Sequence, residues 1–156
     1  MFFLSHRFRI AAGIFFMTTV LAILGFLLIK VSSIPVAGVS ENYDSHEAEM
    51  CREYLSSYGW ETLTDPVEVS RITVPFEFDD TYNEYNGIQK SQGYDLSVYK
   101  GRECIKYVFV VLNYPDNAFG DSVRADVLTC EGTIVGGDIC SLRIDGFMHG
   151  FRYENR

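Results

Sequence analysis

Ile105 to Leu112 reads I-K-Y-V-F-V-V-L, a run of β-branched and aromatic residues that is apolar on both faces apart from Lys106. Such a run suits a strand with neighbours on both sides and cover above and below it, so it is expected to be central in a sheet. Downstream, Tyr114 to Asp121 reads as a loop. Val123, Ala125 and Val127 then alternate with Arg124 and Asp126, the period of a half-buried strand. Glu131-Gly132 predicts a tight hairpin turn, with Thr133 to Ile139 returning along the previous strand. The stretch from Cys140 to Phe151 has room for a last short strand.

Upstream of the central run lie a Lys100-Gly101 turn and a corner, Tyr94 to Tyr99. A helix is predicted over Thr81–Ser91, capped by Asp79 or Asp80, with Tyr82, Tyr85 and Ile88 as its buried stripe and Gly93 as its stop. Gly87 inside it costs about 1 kcal/mol relative to Ala, so this helix needs tertiary support. Val67 to Val74 is strand-like, and Pro75 ends it. Its apolar face switches between Val69 and Ile72, which predicts a bulge or a late start. A short strand is expected around Trp60 to Leu63, before the Asp65-Pro66 turn. The first helix is predicted over Ser45–Tyr58, with Asp44 as its cap and Glu47 completing a capping-box-like pattern. Met50, Tyr54, Leu55 and Tyr58 recur at helical spacing, and Gly59 stops it. The order predicts an α+β domain over residues 45–156, with two helices packed on one face of a twisted, mainly antiparallel sheet.

Residues 10–29 are different in kind. I-A-A-G-I-F-F-M-T-T-V-L-A-I-L-G-F-L-L-I holds no charge, proline or amide. As a helix it is about 30 Å long, enough to cross the hydrocarbon core. Arg7 and Arg9 precede it, and all 21 acidic residues follow Lys30. The positive-inside rule therefore predicts a cytoplasmic stub (1–9), a single-pass signal anchor (10–29), a tether (30–44) and an extracytoplasmic domain. A cleaved signal peptide is the competing reading, but the run is long for one, and its best site, Val36-Ala37-Gly38, is imperfect. With 10 of the 13 basic residues beyond Lys30, the outer part carries 10 − 21 = −11. Such a charge opposes binding to nucleic acid.

Few residues suggest chemistry. His6, His46 and His149 form no H-E-x-x-H or H-x-H, and no G-x-S-x-G is present. Cys51, Cys104, Cys130 and Cys140 form no C-x-x-C. Two readings of them stay open: buried thiols, or a disulfide between Cys104 and Cys130 on adjacent strands. Glu77, Asp79 and Asp80 lack the spacing of a calcium loop and suit a helix start instead. No cofactor and no metal are expected. Gly136-Gly137-Asp138 lacks the following Glu-Phe of a diguanylate cyclase signature and the Lys-Ser/Thr of a phosphate loop, and its glycines are read as room for the second helix. Tyr82, Tyr85, Asn86 and Gln89, with Asp95 in the following corner, form the candidate binding surface. The competing reading is that the tyrosines pack on the sheet while the amides fix the helix to that corner. Convergence of Asp95, Asp138 and His149 on one pocket is what a hydrolase would require.

Y-L-S-S-Y-G-W (Tyr54 to Trp60), Val74-Pro75, Y-N-E-Y-N-G-I-Q-K-S-Q-G-Y-D-L (Tyr82 to Leu96), Y-K-G (Tyr99 to Gly101) and I-V-G-G-D-I (Ile134 to Ile139) resemble a bacterial family, domain of unknown function 4830. The resemblance spans about Met50 to Phe151. It implies short, membrane-anchored proteins of Gram-positive bacteria, largely Clostridia, and it supplies no activity or catalytic residue. The expected function is a non-enzymatic binding or interaction domain at the cell envelope, with a protein or cell-wall partner. A regulatory or inhibitory domain for a membrane-bound enzyme or sensor is the alternative, and an envelope hydrolase comes third.

Overall fold

The computed structural model describes residues 43–115 and 122–153. The proposed anchor at 10–29, the stub before it and nearly all of the tether lie outside the described residues. Among the described residues, no helix is long and apolar enough to cross a membrane.

Helix α1 runs over Ser45–Ser57, with Asp44 as N-cap; its carboxylate accepts from the backbone N–H groups of His46 and Glu47. The capping box stays half-made. The Glu47 carboxylate accepts instead from the Tyr107 hydroxyl at 3.0 Å, tying the helix to the sheet. Strand β1 is Glu68–Thr73 and helix α2 is Asp80–Ser91, whose N-cap Asp79 accepts from the Tyr82 N–H. A single 3-10 turn, Leu96–Tyr99, forms the corner. Strands β2 (Glu103–Val110), β3 (Val123–Cys130), β4 (Thr133–Ser141) and β5 (Met148–His149) complete the chain. The five strands form one antiparallel sheet in sequential order, β1-β2-β3-β4-β5. The apolar run that suggested a central strand is therefore interior, one place from the middle.

The expected strand at Trp60 to Leu63 reduces to one bridge, Thr62 with Val111. The Asp65-Pro66 turn leaves this segment too short to pair further. The expected bulge in β1 is also absent, since its register against β2 is continuous from Glu68 to Thr73. The change of face has another cause: Val69 packs into one apolar cluster and Ile72 into the other. The irregularity lies instead in β4, where Leu128 pairs with Gly136 and Thr129 with Ile134, leaving Val135 extra.

Those two clusters correct the expectation that both helices share a face. Residues alternate across a strand. Odd-numbered Tyr107, Phe109, Val111, Val123, Ala125 and Val127 pack with Ala48, Cys51 and Leu55 of α1. Even-numbered Cys104, Leu128 and Cys130 pack with Val74, Leu96, Tyr82 and Tyr85. Helix α1 covers the odd face, while α2 and its corner cover part of the even face. A strand covered on both sides explains why β2 is apolar on both faces apart from Glu103 at its start and Lys106.

Helix α2 also departs from its expected stripe. Its most buried residues are Asn86 and Gln89, whereas Tyr82, Tyr85 and Ile88 are half-buried. The amides go inward because polar partners await them. The Asn86 side chain donates to Asp95 Oδ1 at 3.0 Å and accepts from the Leu96 N–H at 2.8 Å. Replacing Asn86 with Ala orphans that buried N–H, with an expected loss of about 2 kcal/mol. Urea unfolding checks it, and Asn86→Asp is expected to cost at least as much, because it keeps the acceptor but sets a second carboxylate against Asp95 Oδ1.

Candidate functional site

The residues predicted as a binding surface are drawn into the fold. Gln89 is fully buried, and its Oε1 accepts from the Gly137 N–H at 2.8 Å. Gln92 donates from Nε2 to the Gly137 carbonyl at 3.0 Å and accepts from the Phe151 N–H at 2.6 Å. Two glutamine side chains thus serve backbone groups at the β4 edge as a further strand would. Gly136 has the expected role, since a Cβ there would stand 2.7 Å from Gln89 Oε1. Asp95 accepts from Ser97 and Asn86, and these bonds hold its carboxyl well below the usual range. Tyr82 packs against Phe78 and Tyr85.

Tyr85 leads to a polar cluster on the even face. Its hydroxyl donates to Asp138 Oδ1 at 3.0 Å. Burial, and then Asp138 itself, raise the Tyr85 pKa. Asp138 is 1% exposed, and Asp126 stands opposite it on β3. Burial and the Asp126 charge push the Asp138 carboxyl up to about 7. Lys106 Nζ lies 3.6 Å from Asp126 Oδ2 and 3.5 Å from Glu68 Oε1. Cys140 adjoins the two aspartates, and burial followed by their charges pushes its thiol up to about 12. Cys104 and Cys130 are buried free thiols, one step beyond the Ile105–Thr129 pair. Burial, then a hydrogen bond with Cys130, pushes Cys104 up to about 12.

Asp95, Asp138 and His149 have separate partners. Asp138 lies on the even face, whereas His149 pairs with Ile139 on the odd one and touches Tyr114. The constellation a hydrolase would require is not formed.

Sequence reading missed an aromatic groove of about 870 Å³ at the β5 edge, lined by Tyr58, Ile88, Tyr114, Phe147, His149 and Tyr153 among others. Tyr114 is the middle of a stack. Its ring lies 5.9 Å from Trp60 at 5° and 4.6 Å from Phe147 at 15°. Phe147 stacks in turn on His149 at 5.4 Å. Tyr153 stands edge-on to both Trp60 and Tyr114. The indole N–H of Trp60 donates to the Phe151 carbonyl at 2.6 Å, fixing the tail beneath the groove. His149 Nδ1 lies 2.6 Å from the Gly150 carbonyl, which can only accept, so Nδ1 carries the proton. In the neutral ring, Nε2 then accepts from the Tyr114 hydroxyl at 3.3 Å. Ser91, Gln92 and Arg152 also line it, with the Gln92 amide and the Ser91 hydroxyl bonded within the fold. The only sequence signal was the density of aromatics between Phe147 and Tyr153.

Fold and groove define a small α+β domain with a helix on each face of its sheet and an aromatic cleft at one edge. The chain belongs to the DUF4830 family, a domain of unknown function, whose profile matches residues 54–139. No curated protein and no solved structure matches it.

Proposed function

We propose that this chain is a membrane-anchored, extracytoplasmic binding domain whose edge groove takes a neutral saccharide-bearing component of the cell wall. The observation that carries this reading is the aromatic lining Tyr114–Phe147–His149, backed by the buried Trp60 and joined by the polar side chain of Arg152. Flat apolar rings flanked by a few hydrogen-bonding groups suit the apolar face and hydroxyl edge of a sugar. The charge of −11 beyond Lys30 disfavours an anionic polymer. The apolar run Ile10–Ile29 and the basic residues before it supply the anchor and its direction. The groove lies apart from the Tyr82, Tyr85, Asn86, Gln89 and Asp95 surface, three of whose members are engaged in internal hydrogen bonds through their amides or carboxylate.

Trp60 is the chain's one tryptophan, so its fluorescence reports on the groove. Titrating purified full-length protein with neutral wall fragments is expected to change that emission saturably. Tyr153→Ala removes one wall of the groove and is expected to weaken binding about tenfold, or about 1.4 kcal/mol. An unresponsive Trp60, together with one membrane enzyme captured by in-cell crosslinking, would favour the regulatory-domain reading instead.

A further inference from the structure

We propose that Asp126, Asp138 and Cys140 form a site for a thiophilic divalent cation of the zinc class. One carboxylate oxygen from each aspartate and the Cys140 sulfur all lie within 4.8 Å of one another. Ligands at zinc distances in a tetrahedron stand about 3.6 Å apart, so side-chain rotation of about 1 Å closes the set. The strands hold the three in place: Asp126 and Asp138 are paired across β3 and β4, and Cys140 is the next residue on the same face of β4.

A second observation points to a ligand. Asp138 Oδ2 is buried and lacks a hydrogen-bond partner, although its companion Oδ1 is held by Tyr85. An unpartnered carboxylate oxygen in a packed interior is costly, and a cation between Asp126 and Cys140 satisfies it. Tyr85 then acts as an outer partner that orients the ligating carboxylate. The donor set selects the metal. Three donors are too few for calcium, and a thiol is a poor ligand for calcium or magnesium, whereas mixed sulfur and oxygen suits zinc. Lys106 does not block the site, because Glu68 Oε1 remains its partner at 3.5 Å when Asp126 turns to the cation. The side chains of Asp126 and Lys106 are 18% and 27% exposed, which opens a path from solvent. Coordination displaces the Cys140 thiol proton to water, so affinity rises with pH.

Cobalt(II) is the probe, because a thiolate–cobalt bond gives a charge-transfer absorption that carboxylates do not. Full-length protein stripped with a chelator is expected to develop this band with one equivalent of cobalt and to lose it on addition of zinc. The Cys140→Ser variant is expected to lack the band, while a Cys104→Ala/Cys130→Ala double variant keeps it. The absence of a band in the wild-type protein, or an unchanged band in Cys140→Ser, would overturn the proposal. Asp126→Asn provides a check that leaves the thiol in place: cobalt affinity is expected to fall about tenfold or more, and unchanged affinity would count equally against the site.

Discussion

Gly137→Ala is expected to cost about 3 kcal/mol or more, a large part of the 5–15 kcal/mol that holds a typical domain folded. Gly137 sits in β4 at φ +149°, a conformation that side chains disfavour. An added Cβ would land on the Asp126 carbonyl oxygen and on the Phe151 ring. Neither obstacle yields cheaply. The carbonyl belongs to the middle strand, and Phe151 is fully buried, with its N–H bonded to Gln92 and its carbonyl to Trp60. A contrasting glycine controls for composition. A Cβ at Gly87 in α2 meets nothing within 4 Å, so Gly87→Ala is expected to add about 0.5–1 kcal/mol. Urea unfolding followed by Trp60 emission measures both. A Gly137→Ala protein within a few tenths of a kcal/mol of wild type would show that β4 is not packed as described.

Stability is also expected to fall as pH rises from about 4 to about 7, through Asp138. Its carboxyl titrates near 3.8 in the unfolded chain and near 7 in the folded one. Between those values the folded state holds a proton that the unfolded state has released. Raising the pH therefore favours unfolding, by at most about 1.4 kcal/mol per pH unit and about 4 kcal/mol over the window. Above about 7 both states are ionised and the effect levels off. Desolvation is the main cause and the Asp126 charge the next, while Tyr85, Cys140 and Lys106 oppose the shift. Asp138→Asn keeps an acceptor for Tyr85 and removes the ionisation. Measured with a chelator present, it is expected to be the more stable protein at pH 8, with the advantage disappearing below pH 4. Groups common to both proteins largely cancel in the difference curve, so a flat difference would overturn the assignment.

The two effects share a place, because Gly137 and Asp138 are neighbours on β4, where the glutamines of α2, the tail and the polar cluster meet. Substitutions there are expected to disturb fold and cluster together. The groove variant Tyr153→Ala, on a residue 39% exposed, is expected to cost about 1 kcal/mol through its edge-on contacts with Trp60 and Tyr114, well below Gly137→Ala.

The sequence by itself determined what is local. Asp44 and Asp79 cap the two helices, because a short carboxylate beside a free backbone N–H acts within three residues. Gly59 and Gly93 end them at positive φ, and Glu131-Gly132 turns the hairpin with both residues at positive φ. Alternation marked β3, and the order of elements defined the α+β class. The tertiary structure alone decided which face each helix covers, since a helix and a strand pattern are compatible with either side of a sheet. It also sent Asn86 and Gln89 inward, because their partners, at Leu96 and Gly137, lie 10 and 48 residues along the chain. The aromatic groove unites Tyr58, Tyr114, Phe147 and Tyr153, and the polar cluster unites Tyr85, Asp126 and Asp138. No window of local sequence contains either set. Strand register sets Asp126 against Asp138, and register is fixed only when the whole sheet buries its two faces, whereas those groove residues come from the connections beyond the strand ends.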